Sequence, residues 1–198
     1  MVSAKSVIDR SVSTLALAVA SPIFAVTAAA IKLDSPGPVF FRQERIGLHG
    51  KPFRIHKFRT MVNKPPKVNV SATGDPRVTR VGRILRKTKL DELPQLIDVA
   101  QGTMAIVGPR PEVPEYVAKW PRELRDLILS VRPGITDPAS IRYRNEADEL
   151  AQAEDPEKYY VEVLIPKKTA LYAQYVRTQS LWEDAKIIAQ TIKAVVKG

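Results

Sequence analysis

The sequence has no cysteine and only two histidines, His49 and His56, among its 198 residues. Without cysteine there is no disulfide framework and no thiolate metal site. Two histidines leave little room for a zinc site or for a Ser-His-Asp triad. We therefore expect any chemistry of this chain to depend on carboxylates, arginine and lysine.

Acidic residues are scarce beside basic ones, with 21 Asp and Glu against 31 Lys and Arg and a formal net charge of +10. Such an excess could serve nucleic acid, an anionic membrane surface or phosphorylated substrates. We expect no nucleic acid, because no recognisable motif for it appears and the basic region interleaves only Phe53 and Phe58. Hydrophobic residues make up 44% of the chain and charged residues 26%, which indicates a folded domain.

Charge is missing altogether from Ser11 to Ile31, a stretch of 21 residues. About 20 apolar residues are enough to cross a bilayer as a helix. The stretch could be a cleaved signal peptide, a straight transmembrane anchor or a re-entrant helix. A signal peptide is favoured by Ala18-Val19-Ala20, which resembles a cleavage site, but the Lys- and Arg-rich sequence that follows resists translocation.

The Ser21-Pro22 pair lies at the midpoint of this stretch and favours a re-entrant helix over a straight span. Proline removes a helix hydrogen bond and clashes with the preceding turn. The arms Val12–Ala20 and Ile23–Ile31 are each about 13 Å long as helices, half of the hydrocarbon core. Basic residues flank both ends, which favours a cytoplasmic position for both. We expect a re-entrant membrane helix over residues 1–33, broken at Ser21-Pro22, and a cytosolic domain over 34–198.

The rest of the chain predicts an α+β fold that is mostly helical with a small β-hairpin. Val39–Ile46 and Pro52–Phe58 have the composition of strands and are joined through Gly47–Gly50. Arg80–Lys89 has helical or turn character. Asn63–Pro76 is polar and contains proline, which is typical of a mobile loop.

Helices dominate the second half of the sequence. Pro121–Val131 is expected to be helical, and the tail is helical from Asp155 onward. The last helix, Ser180–Lys197, carries an apolar stripe that we expect to pack on the core rather than lie on a membrane. The stripe consists of Ala185, Ile188, Ala189, Ile192 and Val196.

An acidic pair, Asp91-Glu92, ends a strongly basic region. From Arg42 to Lys89 there are 14 Lys and Arg but only two acids. The pair precedes apolar residues at helical spacing, and Pro94 is tolerated only in a first turn, so the acids lie at a helix N-terminus. Thr88 could form a capping box with Asp91.

Paired acids are common on protein surfaces, and the surrounding charge is what gives this pair a chemical interpretation. The upstream cations, together with Arg110 in a Gly-Pro-Arg-Pro loop, suit a polyphosphate, because arginine binds phosphate oxygens bidentately. An ionised aspartate in such surroundings could attack phosphorus as a carboxylate nucleophile. The neighbouring glutamate could orient it, act as a base or help to hold Mg²⁺, which commonly takes one or two carboxylates plus substrate phosphates.

Six blocks of the sequence together resemble the bacterial sugar transferases, the monotopic phosphoglycosyl transferases that load a sugar phosphate onto a polyprenyl phosphate carrier. They occur in the family's order and spacing and cover about two thirds of the chain. The helical tail is similar only loosely. The blocks are SPIF (21–24), IKLDSPGPVFFRQERIG (31–47), GKPFRIHKFRTM (50–61), RVGRILRKTKLDELPQL (80–96), VGPRP (107–111) and RPGIT (132–136).

The resemblance implies a reaction for the acidic pair. Asp91 is expected to attack the β-phosphate of a UDP-sugar, release UMP and hold a phosphosugar covalently, with Glu92 as its partner. Polyprenyl phosphate would then accept the phosphosugar. Mg²⁺ is expected at the pair, with Asp91 as a ligand.

The resemblance also implies phosphate ligands and a location. Arg110 is the best candidate ligand, and weaker candidates are Lys57, Arg59 and Arg86; Arg142 and Arg144 could also reach the nucleotide, although no motif anchors them. The expected location is the bacterial inner membrane, with an anionic bilayer as partner and the site on the cytoplasmic face. A homodimer is compatible with the sequence.

Three positions depart from the family's usual residues. Asp98 replaces a common Asn, and Gly102-Thr103-Met104-Ala105 replaces a more usual Gly-Asp-Met-Ser; we expect little effect from either. Asp137 replaces a typical Gly and is expected to change the turn and substrate contacts. A noncatalytic scaffold would be expected to lose the acidic pair or Arg110, and both are present. The absence of a further transmembrane bundle favours a modified N-acetylated sugar over glucose or galactose.

Overall fold

A computed structural model describes residues 4–62 and 74–196. The predicted α+β fold, mostly helical with a small antiparallel hairpin and a long apolar N-terminal helix, is confirmed. The helices are α1 (Ala4–Asp34), α2 (Arg80–Thr88), α3 (Gln95–Gln101), α4 (Pro114–Val117), α5 (Arg122–Leu129), α6 (Pro138–Arg142), α7 (Glu146–Gln152), α8 (Pro156–Tyr159), α9 (Ile165–Thr178) and α10 (Leu181–Val196). A π-helical turn over Tyr160–Leu164 joins α8 to α9. Most of the predicted loop Asn63–Pro76, residues 63–73, lies outside the described residues.

Helix α1 stays helical through Ser21-Pro22, so the structure has one helix where two arms separated by a break were expected. Pro22 has no N–H to donate to the Ala18 carbonyl, four residues earlier. The Ser21 hydroxyl donates to that carbonyl at 2.8 Å instead. The acceptor left by proline is therefore satisfied by the residue beside it, and the helix continues.

The polarity of α1 is the reverse of that of a helix on a soluble protein. Its buried residues are mostly polar and include Ser6, Asp9, Ser13 and Thr27. An 18-residue window has a mean hydropathy of 2.0 and is 11% buried, so α1 is long and apolar enough to cross a membrane. Large apolar side chains are exposed along it, at Val7, Ile8, Val12, Leu15, Val19, Ile23, Val26 and Leu33. An apolar outer face of this length is typical of contact with lipid.

Two small sheets position the loops of the domain. Strands β1 (Phe40–Ile46) and β2 (Pro52–Phe58) pair antiparallel, and a 3₁₀ turn over Leu48–Gly50 joins them, which confirms the predicted hairpin. Strands β3 (Ala105–Val107) and β4 (Gly134–Thr136) pair parallel, which the sequence analysis did not predict.

The core of the helical half lies between α5 and α9. Trp120, Ile128, Leu164 and Tyr172 are buried there, with further residues of α4 and α7 around them. The predicted helices Arg80–Lys89 and Pro121–Val131 are confirmed as α2 and α5.

Helix α10 packs on the domain as expected, and Ile188 of the predicted stripe packs against a buried cluster, but most of the stripe was wrong. The inward face carries Asp184 and Ile187, whereas Ala185, Ala189 and Ile192 are exposed. The difference is explained by a buried hydrogen bond, which Asp184 accepts from the Tyr175 hydroxyl at 2.7 Å. Because this contact requires Asp184 to face inward, the face of α10 that hydrophobicity alone favours is turned outward.

Replacing Ser21 by Ala should destabilise the protein only while Pro22 is present. With Pro22, Ser21→Ala leaves the Ala18 carbonyl without its donor, at a cost of about 1 kcal/mol in unfolding free energy. In a Pro22→Ala background the restored N–H donates instead, so the Ser21 change should cost close to zero. Reversible unfolding of the four chains in detergent measures this coupling, and equal costs in both backgrounds would contradict the role of the hydroxyl.

Candidate active site

The acidic pair lies in a tight turn between two helices. Helix α2 ends at Thr88, Lys89 has a left-handed backbone with φ of 58°, and a 3₁₀ turn over Leu90–Glu92 follows. The Thr88 hydroxyl donates to the Ile84 carbonyl at 2.9 Å, inside its own helix. The predicted capping box is therefore not formed, because Thr88 still belongs to α2. The acids nevertheless lie directly before α3, as expected.

The Glu92 carboxylate is held by two cations. Lys57 Nζ donates to Glu92 Oε1 at 2.9 Å, and the Arg110 guanidinium donates to both oxygens, with Nη1 3.2 Å from Oε2 and Nη2 on Oε1. Burial alone would raise the pKa of Glu92, but the charges of Arg110 and Lys57 hold that pKa well below its usual value. Glu92 is therefore ionised and committed to its partners.

The Asp91 carboxylate, unlike that of Glu92, accepts no hydrogen bond from a described residue. Burial, followed by the negative charge of Glu92, raises the pKa of Asp91, although Lys57, Lys89 and Arg110 act against this. Adjacent acids whose environments push their pKa values apart are typical of acids with different roles.

A cleft of about 1220 Å³ opens over the acidic pair, and we call it the dyad cleft. This volume exceeds that of a usual small-ligand pocket. Four of the six candidate phosphate ligands line the cleft, namely Lys57, Arg86, Arg110 and Arg144, whereas Arg142 is not in its lining. Its lining also includes the basic residues Arg83, Lys87, Lys89 and Lys168. The structure thus gathers cations from distant parts of the sequence around the acids.

Arg59, another candidate phosphate ligand, also lies outside the cleft lining. It is 4% exposed, and its guanidinium donates to the backbone carbonyls of Ser35, at 2.7 Å, and of Pro36. A Cβ on Gly37 would lie 2.0 Å from Arg59 Nη1, so the turn is closed tightly on this side chain. Arg59 fastens the end of α1 to the domain and does not line the dyad cleft.

The loop that carries Arg110 depends on close contact between two backbones. A Cβ built on Gly134 would lie 2.1 Å from the Gly108 nitrogen, so a side chain there would force β3 and β4 apart. Glu92 is the main cause of a raised Arg110 pKa, and Asp137 adds to it. The pairing of β3 with β4 therefore brings the Gly-Pro-Arg-Pro loop to the acidic pair.

Two of the residues that differ from the family's usual ones, Asp137 and Asp98, are buried and accept hydrogen bonds within the protein. Asp137 is fully buried, has an extended backbone that any residue adopts, and accepts a hydrogen bond from the Ser140 nitrogen at 2.9 Å. The turn at this position therefore needs no glycine. Asp98 was expected to matter little, but it is buried, and its two oxygens lie 2.9 Å from the His56 backbone nitrogen and 2.7 Å from the ring Nδ1.

The described residues contain no cluster of three or more metal-ligating side chains. Asp91 is the acid of the pair whose oxygens remain uncommitted, because Glu92 is occupied by Lys57 and Arg110. One carboxylate fits Mg²⁺ where substrate phosphates complete the coordination. Of the two acids, Asp91 is therefore the one that could hold a Mg²⁺ ion.

Sequence analysis missed the far wall of the dyad cleft. Lys168 of α9 and Glu146 of α7 both line it, and Lys168 Nζ lies 2.7 Å from Glu146 Oε2. The two residues are 22 positions apart in the loosely similar tail, where no motif or periodicity marked them.

Comparison with known proteins identifies the family. The family model described as bacterial sugar transferase matches residues 1–198, and the chain belongs to this family. The UDP-glucose:undecaprenyl-phosphate glucose-1-phosphate transferase of Escherichia coli is 42% identical over 189 residues, covering 93% of this chain and 38% of that protein. The protein of the same name from Caulobacter vibrioides is 38% identical, covering 97% and 69%.

A third relative is named for a different sugar. The UDP-N-acetylgalactosamine-undecaprenyl-phosphate N-acetylgalactosaminephosphotransferase of Aeromonas hydrophila is 36% identical, covering 96% of this chain and 44% of that protein. The chain therefore spans less than half the length of two of these three relatives. Their names include both glucose and N-acetylgalactosamine.

Replacing Glu92 by Gln should change how stability depends on pH. Because the folded pKa of Glu92 is lowered, its charge stabilises the fold fully above the ordinary value of 4.5, and this stabilisation is lost as pH falls through the folded pKa. On acidification below that value, the native chain should lose more unfolding free energy than Glu92→Gln. At neutral pH the variant should be less stable by about 2–3 kcal/mol, since two cations lose their acid.

Glu183→Gln provides the control for this experiment. Glu183 pairs with Lys186 at 3.3 Å on the exposed side of α10, where an ion pair contributes little. Denaturant titrations across the acid range should give the same pH dependence for Glu183→Gln and the native chain. If the unfolding free energy of Glu92→Gln changed with pH in parallel with that of the native chain, Glu92 would not be ionised in the folded protein.

Proposed function

We propose that this chain transfers a sugar-1-phosphate from a UDP-sugar to polyprenyl phosphate, the membrane-committed step of glycoconjugate biosynthesis. The observation that carries the proposal is the Asp91 carboxylate, which accepts no hydrogen bond from a described residue. Its neighbour Glu92 is held by ion pairs with Lys57 and Arg110. The names of the relatives, which pair UDP-sugars with undecaprenyl phosphate, support the same substrates. The volume of the dyad cleft is sufficient for a nucleotide sugar and a phosphate headgroup.

In the first step, an Asp91 oxygen attacks the β-phosphorus of the UDP-sugar. The bond from that phosphorus to the bridging oxygen breaks, and UMP leaves with the oxygen as an anion, so no proton is needed. The product on the protein is an acyl phosphate that joins Asp91 to the sugar phosphate. Arg110 and Lys57 are placed to stabilise the added charge, and Glu92 holds both of them in position.

In the second step, a phosphate oxygen of polyprenyl phosphate attacks the same phosphorus. The Asp91 carboxylate leaves, and the product is a polyprenyl diphosphate sugar. Arg86 and Arg144 also line the cleft and are proposed to bind phosphates of the two substrates. Mg²⁺ held by Asp91 and substrate phosphates would neutralise charge on the diphosphate.

We propose a monotopic position in the bacterial inner membrane, with the dyad cleft on the cytoplasmic face; the exposed apolar side chains of α1 support its contact with lipid. Since the helix is continuous, a re-entrant course would need a bend within it, and a proline is the usual cause of such a bend. Basic residues at both ends and the net charge of +10 suit the anionic cytoplasmic leaflet.

Replacing Asp91 by Asn should abolish UMP release, with a loss on the order of 10³-fold or more. The native chain would be incubated with Mg²⁺, a short polyprenyl phosphate and a panel of UDP-sugars that includes glucose and N-acetylgalactosamine donors. Asp126→Asn, an exposed aspartate on α5, is the matched control and should retain full activity.

The intermediate can be tested separately from turnover. Acid quenching of the native chain with a UDP-sugar and no acceptor should leave a mass increase of one phosphosugar, and Asp91→Asn should show none. UMP release that persists in Asp91→Asn would exclude Asp91 as the nucleophile. No UMP from any donor would contradict the transferase proposal itself.

The absence of cysteine allows a direct test of membrane topology. Single cysteines at Ser11 and Leu33, both exposed on α1, would be labelled with an impermeant maleimide in spheroplasts and in inverted vesicles. A re-entrant helix predicts that both react only in inverted vesicles. Reaction of the two from opposite sides would show a straight span.

A further inference from the structure

The dyad cleft has a second wall with different chemistry from the first. The wall near the acidic pair includes Arg83, Arg86, Lys87 and Lys89, four cations with no acid between them. The second wall is formed by α6, α7, α9 and the turn before α7, and its polar side chains are Ser140, Arg144, Asn145, Glu146, Asp148 and Lys168. The first wall suits phosphates, whereas the second offers both donors and acceptors, which suits a group with hydroxyls beside a phosphate.

A buried ion pair organises this second wall. The side chain of Lys168 is 7% exposed, and its ammonium donates to Glu146 Oε2 and lies 4.9 Å from the centre of the Tyr160 ring. The Glu146 side chain is 28% exposed and lines the cleft. Its second oxygen accepts no hydrogen bond from a described residue. Lys168 thus holds the Glu146 carboxylate in place, and the second Glu146 oxygen can accept a hydrogen bond at the cleft surface.

The Lys168–Glu146 pair shares the dyad cleft with the acidic pair. Lys57, Glu92 and Arg110 form one group of ion pairs, and Lys168 forms another with Glu146. Burial raises the pKa of Asp137, and the charges of Arg110 and Lys168 act against that rise. Glu146 therefore lines the same cleft as the acidic pair.

We propose that Glu146, positioned by Lys168, binds hydroxyl groups of the transferred sugar and contributes to donor choice. A carboxylate is an acceptor-only group and suits sugar hydroxyls, which are donors. The relatives share the uridine diphosphate in their names but differ in the sugar. This inference rests on the proposed function.

The test compares donors and the bare nucleotide in one pair of variants. Glu146→Gln should lower kcat/KM for the preferred UDP-sugar about 10- to 100-fold, because a hydroxyl donor loses its charged acceptor. The ratio of kcat/KM for that donor to kcat/KM for its 4-epimer should fall. Inhibition by UDP, which has no sugar, should change less than about twofold. Glu149→Gln, exposed on the same helix, is the matched control and should change none of these values.

Other outcomes are equally informative. Equal weakening of UDP inhibition would place Glu146 at the ribose and overturn the sugar assignment, as would unchanged kinetics. Glu146→Asp keeps the charge but shortens the side chain. A change in the ratio of kcat/KM for the two UDP-sugars in this variant would therefore indicate hydroxyl binding rather than lost stability. Equilibrium binding of UDP-sugar relative to UDP needs no turnover; a ratio lowered in Glu146→Gln supports the inference, even where the native chain releases no UMP and the transferase proposal fails.

Discussion

The contact on which the site depends is the Glu92 carboxylate between Lys57 and Arg110. It joins three segments that are remote in sequence: strand β2, the turn after α2 and the loop after β3. Because each partner comes from a different element, movement of any one breaks a charge-assisted hydrogen bond. The contact also affects Asp91, because burial and then the negative charge of Glu92 raise the pKa of that neighbour. One acid is thereby committed to structure and the other remains available.

Helix α1 is tied to this contact through three consecutive residues at the end of β2. Lys57 binds Glu92, Phe58 packs its ring 5.0 Å from that of Phe24 in α1, and Arg59 binds carbonyls at the end of α1. Two residues of extended chain span about 7 Å. The end of α1, with its apolar outer face, is therefore held a short distance along the chain from the acids, as the proposed transfer to a lipid acceptor requires.

Much of this architecture could be predicted from local patterns. The hairpin, α2 and α5 follow from alternation, turn residues and apolar spacing, and the ordered blocks identified Arg110 with the acidic pair. Arg59 could not be placed, because a charge in a basic run does not reveal whether it binds phosphate or backbone carbonyls. The β3–β4 pair has three residues in each strand, too few for a period, and the stripe on α10 was overridden by the hydrogen bond to Asp184.

Asp98 and His56 form a second tie between α3 and β2, and the two residue types require each other. Arginine has no acceptor, so the contact of Arg42 Nη1 with His56 Nε2 at 2.6 Å makes Nε2 the acceptor and leaves the ring proton on Nδ1. Asp98 then faces two donors, the His56 backbone N–H and Nδ1–H. Asparagine has one acceptor oxygen and would set its amide hydrogens against one of these donors. The aspartate therefore suits a histidine at this place, one residue from Lys57, and helps to keep the strand in the register that the acidic pair requires.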